Sequence, residues 1–473
     1  VLFNSIAFAL FLPLVFFIYW KKRNQTLSRQ NLIIIISGCI FYGWWDIRFL
    51  GLLVLTSGID FAVAILISGS ASERRKRILL LISLFSNLTV LGFFKYFNFF
   101  ADSFVHLVEH FGWKADYATL NIVLPVGISF YTFQALSYTI DVYKGKTVAV
   151  RNAPTYFAYI TFFPQLVAGP IGRSVHLIPQ FLRVRIFTYD NSITGLRLML
   201  LGYLKKCVVA DNVSTIADSA FFNSESLVVS SAIIGALAFS IQIYFDFSGY
   251  SDIARGCAKL FGVDLMVNFR RPYFAKSITE FWQRWHISMS QWFRDYVYIP
   301  LGGNQESNFK TTRNLLITFL VSGLWHGASW TFVLWGILHG VAIFIERQFI
   351  LKIKMNVVFS WAVTLFIVIN AWVLFRAESF LQLRHYYSNF FTGGGKIMPA
   401  DLLTGNWSSV LFVSLVTGIC LLIFAYEYLE EQDKFNPDNT PKWIRISYYY
   451  VAITAILLLG VYQSPPSFIY FQF

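Results

Sequence analysis

Long apolar runs divided by short charged clusters fill the first third of the chain. Runs at 3–20, 32–45, 49–67, 78–94 and 120–140 approach the ~20 helical residues that cross a hydrocarbon core. The clusters between them alternate: Lys21, Lys22, Arg23 and Arg29; almost nothing; Arg74, Arg75, Lys76 and Arg77; Asp102, Glu109 and Asp116 against Lys114; then Lys144, Lys146 and Arg151. Basic residues on every second loop put those loops on the cytoplasmic side. The first run is followed, not preceded, by basic residues, so it reads as a retained span with its start facing away from the cytoplasm.

Beyond residue 153 the pattern shortens and breaks. Pro164, Gly169, Pro170 and Gly172 interrupt the apolar stretch 156–171. Broken backbone is tolerated at membrane depth only under protein cover or along a cavity, so this stretch is expected to be re-entrant. Further runs lie at 193–209, 228–245, 315–344, 357–375, 410–426 and 448–462, the third of these too long for one plain span. The segment 277–295 is aromatic and charged together. Ser277 and Glu280 have capping-box spacing, and Ile278, Phe281, Trp282, Trp285, Met289, Trp292 and Phe293 follow the spacing of one helical face, with His286 at its edge. An amphipathic interfacial helix is the expectation. The fold class is therefore an all-α integral membrane protein, a helical bundle of about 10–12 spans with re-entrant and interfacial helices. It is read as one membrane domain over 1–473, with regular spans in 1–153, a broken core in 154–346 and further spans in 347–473.

Composition narrows the class. Of 473 residues 56% are hydrophobic and 13% charged, against roughly a quarter charged in a soluble domain. That excludes a soluble multidomain enzyme and a disordered chain. The net charge of +13 suits cytoplasmic loops and anionic lipid headgroups, so it gives no reason to expect a nucleic-acid partner. Cys39, Cys207, Cys257 and Cys420 are scattered and read as structural.

Polar groups inside apolar runs are the candidates for chemistry. The run 315–344 holds no Asp, Glu, Lys or Arg, yet carries His326 and His339. Such groups are expensive in a membrane unless they meet a partner, and a helix–helix hydrogen bond competes evenly with function. Gly323, Gly327 and Ala328 around His326 admit a second backbone or a substrate, and a neutral imidazole there could accept a proton from an attacking hydroxyl. His339, on a more regular stretch, reads as structural. Asp246, beside Ser248 and Ser251 at the end of an apolar run, reads first as part of a capping cluster and second as a group that orients a histidine or a polar substrate. His106, Glu109 and His110 match a zinc-peptidase spacing in a loop with no evident third ligand, so no metal site is assigned.

The run Phe281-Trp282-Gln283-Arg284-Trp285-His286-Ile287-Ser288, followed by Arg294-Asp295-Tyr296 and Tyr298-Ile299-Pro300-Leu301-Gly302-Gly303-Asn304, resembles the membrane-bound O-acyltransferase family. So does Trp325-His326-Gly327-Ala328 with Trp330 and Trp335-Gly336. The runs at 124–130, 163–171 and 468–473 are similar to the branch containing the alginate O-acetylation membrane protein, a relative of the teichoic-acid D-alanylation membrane protein. Gln305 departs from the basic residue expected there, which touches headgroup or partner contacts and leaves the reaction class intact. The resemblance covers nearly the whole chain. It implies a catalytic core in 154–346 and transfer of an acyl group, through a tunnel, from a cytoplasmic thioester to a hydroxyl outside. The family's histidines map onto His326, as general base, and His286, which positions substrate or shares the proton.

On that reading Trp282, Trp285 and Trp325 shape a dry passage, while Arg284 and Arg294 meet either donor phosphates or lipid phosphates. The donor is acetyl-CoA or an acylated carrier, with no tightly bound cofactor. The acceptor is a secreted polysaccharide of alginate type, reached with an extracytoplasmic acetyltransferase partner, and the location is the bacterial inner membrane. Two rivals stand: a transporter or channel with a histidine proton relay, disfavoured by the expected lack of carboxylates within the spans, and a non-catalytic scaffold of an acetylation complex.

Overall fold

A computed structural model describes residues 3–22, 24–113, 120, 122–167, 169–305, 307–349, 356–392, 396–397, 399–403, 409–432, 440–462 and 466–471. Arg23, Lys114, Asp116, Ala168, Gln472 and Phe473, used in the sequence reading, lie outside the described residues, as does the side chain of Phe471. Among the described residues the secondary structure is helical, with an isolated parallel bridge between Leu227 and Ile397.

Seven of the described helices are long and apolar enough to cross a membrane: Ile47–Ser68, Glu73–His110, Val229–Leu260, Trp330–Gln348, Val357–Arg376, Val410–Glu431 and Lys442–Leu459. The chain is therefore a multi-span α-helical membrane protein. Fewer helices qualify than the apolar runs suggest because Ile6–Trp20, Leu27–Gly43 and Ile128–Tyr143 have 15, 17 and 16 residues. At 1.5 Å per residue these fall short of a hydrocarbon core about 30 Å thick. The run 78–94 instead continues through a π-helical turn, Gly92–Tyr96, into Phe97–His110. His106, Glu109 and His110 are thus helical rather than in a loop, with His106 Nδ1 3.7 Å from Glu109.

The chain divides into two compact units. The first comprises Val1–Leu196 and Ala254–Met266. The broken stretch lies here as Ala153–Ile160 and the single turn Phe163–Leu166, almost wholly buried. Protein groups satisfy its irregular backbone: the Tyr159 carbonyl accepts from Gln134 Nε2 at 2.9 Å and Gln165 Nε2 at 2.6 Å, and Tyr159 Oη donates to the Gly172 carbonyl at 3.0 Å. This is what a re-entrant segment requires. Asp60, inside Ile47–Ser68, accepts from Ser83 Oγ at 2.5 Å and Asn87 Nδ2 at 2.9 Å on the next helix.

The second unit comprises Arg197–Ile253 and Val267–Phe473. Most of the apolar window of Val229–Leu260 is buried, 67%, against 6% for Lys442–Leu459. The first is thus covered by protein along most of that window and the second is exposed along nearly all of it. Helices Asn308–His326 and Trp330–Gln348 form an antiparallel pair joined at 327–329, the solution to the over-long run 315–344. They cross where Gly323 meets Gly336: a Cβ built on either glycine would lie 3.4 Å from the other's Cα and would collide with a backbone carbonyl, of Phe332 or Phe319. The glycines flanking His326 thus admit the next helix of the same chain.

Candidate active site

The histidines and the rings around them belong to the second unit. The segment 277–295 is two short helices, Ile278–Arg284 and Ile287–Phe293, not one. Ser277 Oγ accepts from Glu280 N at 3.0 Å, half of the expected capping box; the Glu280 carboxylate turns instead to Lys276 N, at 2.7 Å, and to Arg284. The chain breaks at Trp285, which is extended, and His286, whose φ of 42° is left-handed. Among the described residues Arg271 is the other non-glycine with positive φ, at 50°.

The segments that carry these two positions are joined by hydrogen bonds. Arg270 N donates to the Arg284 carbonyl and Ile287 N to the Asn268 carbonyl, each at 2.9 Å, and the Asn268 side chain accepts from Ser288 Oγ at 2.8 Å. Segment 268–271 thereby takes up the hydrogen bonds that the break releases. A left-handed backbone costs an L-residue roughly 1–2 kcal/mol, and strain of this kind concentrates at functional sites. The break turns the His286 imidazole into the core, where it is fully buried with its ring 4.7 Å from Phe247.

His326 is the last residue of Asn308–His326 and is also buried. Its ring lies 4.8 Å from Trp335, 5.0 Å from Trp325 and 5.3 Å from Phe375. Trp325 and Tyr470 each lie against both imidazoles: Trp325 is 6.0 Å from His286, and Tyr470 is 6.2 Å from His286 and 5.6 Å from His326. The two histidines picked from sequence therefore share one aromatic chamber. His339 has a different setting. Its Nδ1 accepts from Trp282 Nε1 at 3.3 Å, and its ring stacks on Phe281 with planes 4° apart.

The expected tunnel tryptophans divide. Trp325 touches both histidines. Trp282 faces a cavity of about 640 Å³ lined also by Glu280, Gln291, Arg294, Tyr298 and Arg347. A ring sequence leads inward from it, Trp282 to Trp335 at 5.6 Å and Trp335 to His326 at 4.8 Å. Trp285 is buried behind this line, 4.7 Å from Trp372. Of the arginines, Arg294 lines the cavity and pairs with Asp295 at 2.8 Å. Arg284 is held between Glu280 and Glu431, at 2.6 and 2.7 Å. Burial works against its charge, but Glu431 and Glu280 outweigh that and leave its pKa raised.

Asp246 lies inside the helix Val229–Leu260, not at the end of a span, because 247–252 continue the helix. Lys206 Nζ reaches it at 2.7 Å and Asp211 at 2.6 Å. Its Oδ2 accepts from Ile469 N at 2.8 Å. A parallel cluster joins Lys205 to Asp252 and Glu427, at 3.1 and 3.2 Å. The sequence reading missed both lysines, although each falls inside the apolar run 193–209, where a charge is costly. They sit on a π-helical stretch, Leu204–Ala210, a distortion frequent at functional sites. Tyr470 belongs to the run 468–473 that carries part of the family resemblance, but it was not singled out as a site residue.

These carboxylates correct one expectation. Asp60 lies in Ile47–Ser68, Asp246 and Asp252 in Val229–Leu260, and Glu427 in Val410–Glu431, all within membrane-crossing helices. Their supposed absence is therefore no argument against transport. They went unnoticed because their partners come from other helices.

A multi-span helical membrane protein that packs two buried histidines against shared aromatic rings, beside a cavity lined by Trp282, has the membrane-embedded titratable groups that mark a functional site. Residues 149–384 match the sequence model of MBOAT, the membrane-bound O-acyltransferase family. The chain is 41% identical to the probable alginate O-acetylase AlgI of Azotobacter vinelandii, over 89% of this chain and 83% of that protein. It is 37% identical to the protein of the same name from Pseudomonas putida, over 99% of both. It is 32% identical to the peptidoglycan O-acetyltransferase of Helicobacter pylori, over 100% of this chain and 97% of that protein. The chain belongs to the membrane-bound O-acyltransferase family.

Proposed function

We propose that this protein is an O-acetyltransferase that carries acetyl groups through the membrane to hydroxyls of an exported, alginate-like polysaccharide, with His326 as general base. The observation that carries the reading is the packing of His326 and His286 against the same Trp325 ring inside the family-matched region. Full-length similarity to proteins named as O-acetylases of alginate and peptidoglycan supports a glycan acceptor.

The acetyl thioester, from acetyl-CoA or an acylated carrier, enters by the cavity at Trp282, where Arg294 and Arg347 suit donor phosphates. The acceptor oxygen attacks the acyl carbon while His326 takes the hydroxyl proton. The carbon–sulfur bond breaks, and the proton returns to the departing thiolate. His286 holds the reacting groups in line. The acceptor hydroxyl belongs to the glycan itself or to an extracytoplasmic acetyltransferase partner that relays the group. Basic residues clustered at 21–22, 74–77 and 144–151 support a bacterial inner-membrane orientation with those clusters on the cytoplasmic side.

The reading is tested by His326→Ala in cells that make the polysaccharide. Acetyl content of the exported glycan is expected to fall by roughly 10²-fold or more, the range of a lost general base, at unchanged membrane protein level. Normal acetylation would sink the catalytic assignment.

A further inference from the structure

We propose that the first compact unit holds a binding site for one small monovalent cation, sodium by charge and size, built around Asp60; it stands apart from the reading of His326 as base. Asp60 lies inside the membrane-crossing helix Ile47–Ser68 and is fully buried. In the second unit Asp246 meets Lys206, and Asp252 and Glu427 meet Lys205. Asp60 meets neutral groups instead. Ser83 Oγ and Asn87 Nδ2 donate to it from the helix Glu73–His110, and the Thr139 side chain bonds to it from Ile128–Tyr143. Among the described residues no basic side chain joins this group. A carboxylate at that depth calls for a counter-charge.

Unused oxygens stand around it. Asn87 Oδ1, Ser57 Oγ and Tyr156 Oη are buried without a hydrogen-bond partner among the described residues, and a buried acceptor left unsatisfied is costly. Ser57 precedes Asp60 by one turn on the same helical face. Tyr156, its ring 5.0 Å from Tyr138, lies within range of the Asp60 charge. Asn87 Nδ2 stands 3.0 and 2.9 Å from the two Asp60 oxygens and 3.0 Å from the Ser83 carbonyl. A half-turn of the amide exchanges its two ends. Oδ1 then takes that place, and four oxygens converge: both of the carboxylate, the Ser83 carbonyl and the amide oxygen.

Oxygens about 3 Å apart form the edge of a small cation's shell, and site size selects among hard cations. Charge selects too. Asp60 supplies one negative charge, while Asp141, on the same helix as Thr139, is engaged by Ser174 Oγ at 2.9 Å. A monovalent ion leaves the site neutral, whereas a divalent ion would leave a net charge inside the membrane. The ion would tie three helices together, Ile47–Ser68, Glu73–His110 and Ile128–Tyr143.

The experiment uses the intact protein purified in detergent, with ionic strength held by choline chloride. Radioactive sodium is expected to bind saturably at about one per chain, displaced by unlabelled sodium and little by potassium. The melting temperature is expected to rise by about 2 °C or more once sodium stands tenfold above half-saturation, and not with potassium. Asp60→Asn and Asn87→Leu are each expected to weaken sodium binding about tenfold or more and to lose the sodium-dependent rise. His326→Ala is expected to bind sodium as the wild type does, so loss of transfer there leaves this site untouched.

No saturable sodium binding by the wild type, equal stabilisation by potassium, or undiminished sodium binding in Asp60→Asn would overturn the proposal. So would a higher melting temperature in Asp60→Asn beside a wild type indifferent to sodium, which would mark Asp60 as a protonated member of a hydrogen-bond network. If Asp60→Asn does not accumulate, isotope binding by the wild type and by Asn87→Leu decides.

Discussion

The His286 backbone sits in a conformation that most L-residues avoid, and its imidazole could not enter the chamber from a regular helix. Strain and chemistry at this residue are separable. Asparagine tolerates the left-handed region better than alanine, so His286→Asn should be more stable than His286→Ala by about 1 kcal/mol, while both lose transfer. Melting curves of the detergent-purified variants, set beside their acetylation rates, check this; equal stabilities would mean that the backbone there is relaxed. His326 was legible in the sequence because an imidazole inside an uncharged apolar run has few bland explanations. Tyr470 was legible as part of the run 468–473 but not as a neighbour of the histidines. Its place depends on the bond from Ile469 N to Asp246, 223 residues away in sequence, and nothing adjacent to it records that bond.

Helices were readable as apolar periods, but their interruptions were not. The three-four spacing over 277–295 is the same for one helix as for two short ones in series, and the break at His286 is held by Asn268 and Arg270, outside the periodic stretch. The over-long run 315–344 did announce two helices, and its glycines mark their crossing. Here the close approach predicts a sharp penalty. Gly336→Val would drive a side chain into the Phe319 carbonyl, and overpacking of this kind costs about 1–3 kcal/mol. Because His326 lies one turn from the crossing, activity should fall with stability. A thermal melt indistinguishable from wild type would contradict the tight crossing. Charges inside helices were the other gap: Lys205 and Lys206 with their carboxylates form pairs only across elements, so each looked like an isolated exception to an apolar run.

For the whole molecule, the scarcity of charge and the excess of positive charge describe a membrane protein whose cations serve two ends. The basic clusters at 21–22, 74–77 and 144–151 follow the pattern that orients a membrane chain, and Arg294 and Arg347 stand at the cavity before Trp282. If that cavity admits coenzyme A, Arg294→Glu should raise the KM for acetyl-CoA by about fivefold, with kcat changed less than about twofold and a weaker dependence on salt. An unchanged KM in the same vesicle assay would move the donor elsewhere. The central claim, that acetyl groups cross this membrane protein under the control of His326, is tested most directly in inside-out vesicles from polysaccharide-producing cells. Labelled acetyl-CoA is supplied outside, and the label is then measured in the luminal glycan. The account predicts label accumulating with the wild-type protein and background label with His326→Ala at equal protein level; equal labelling of the two would contradict it.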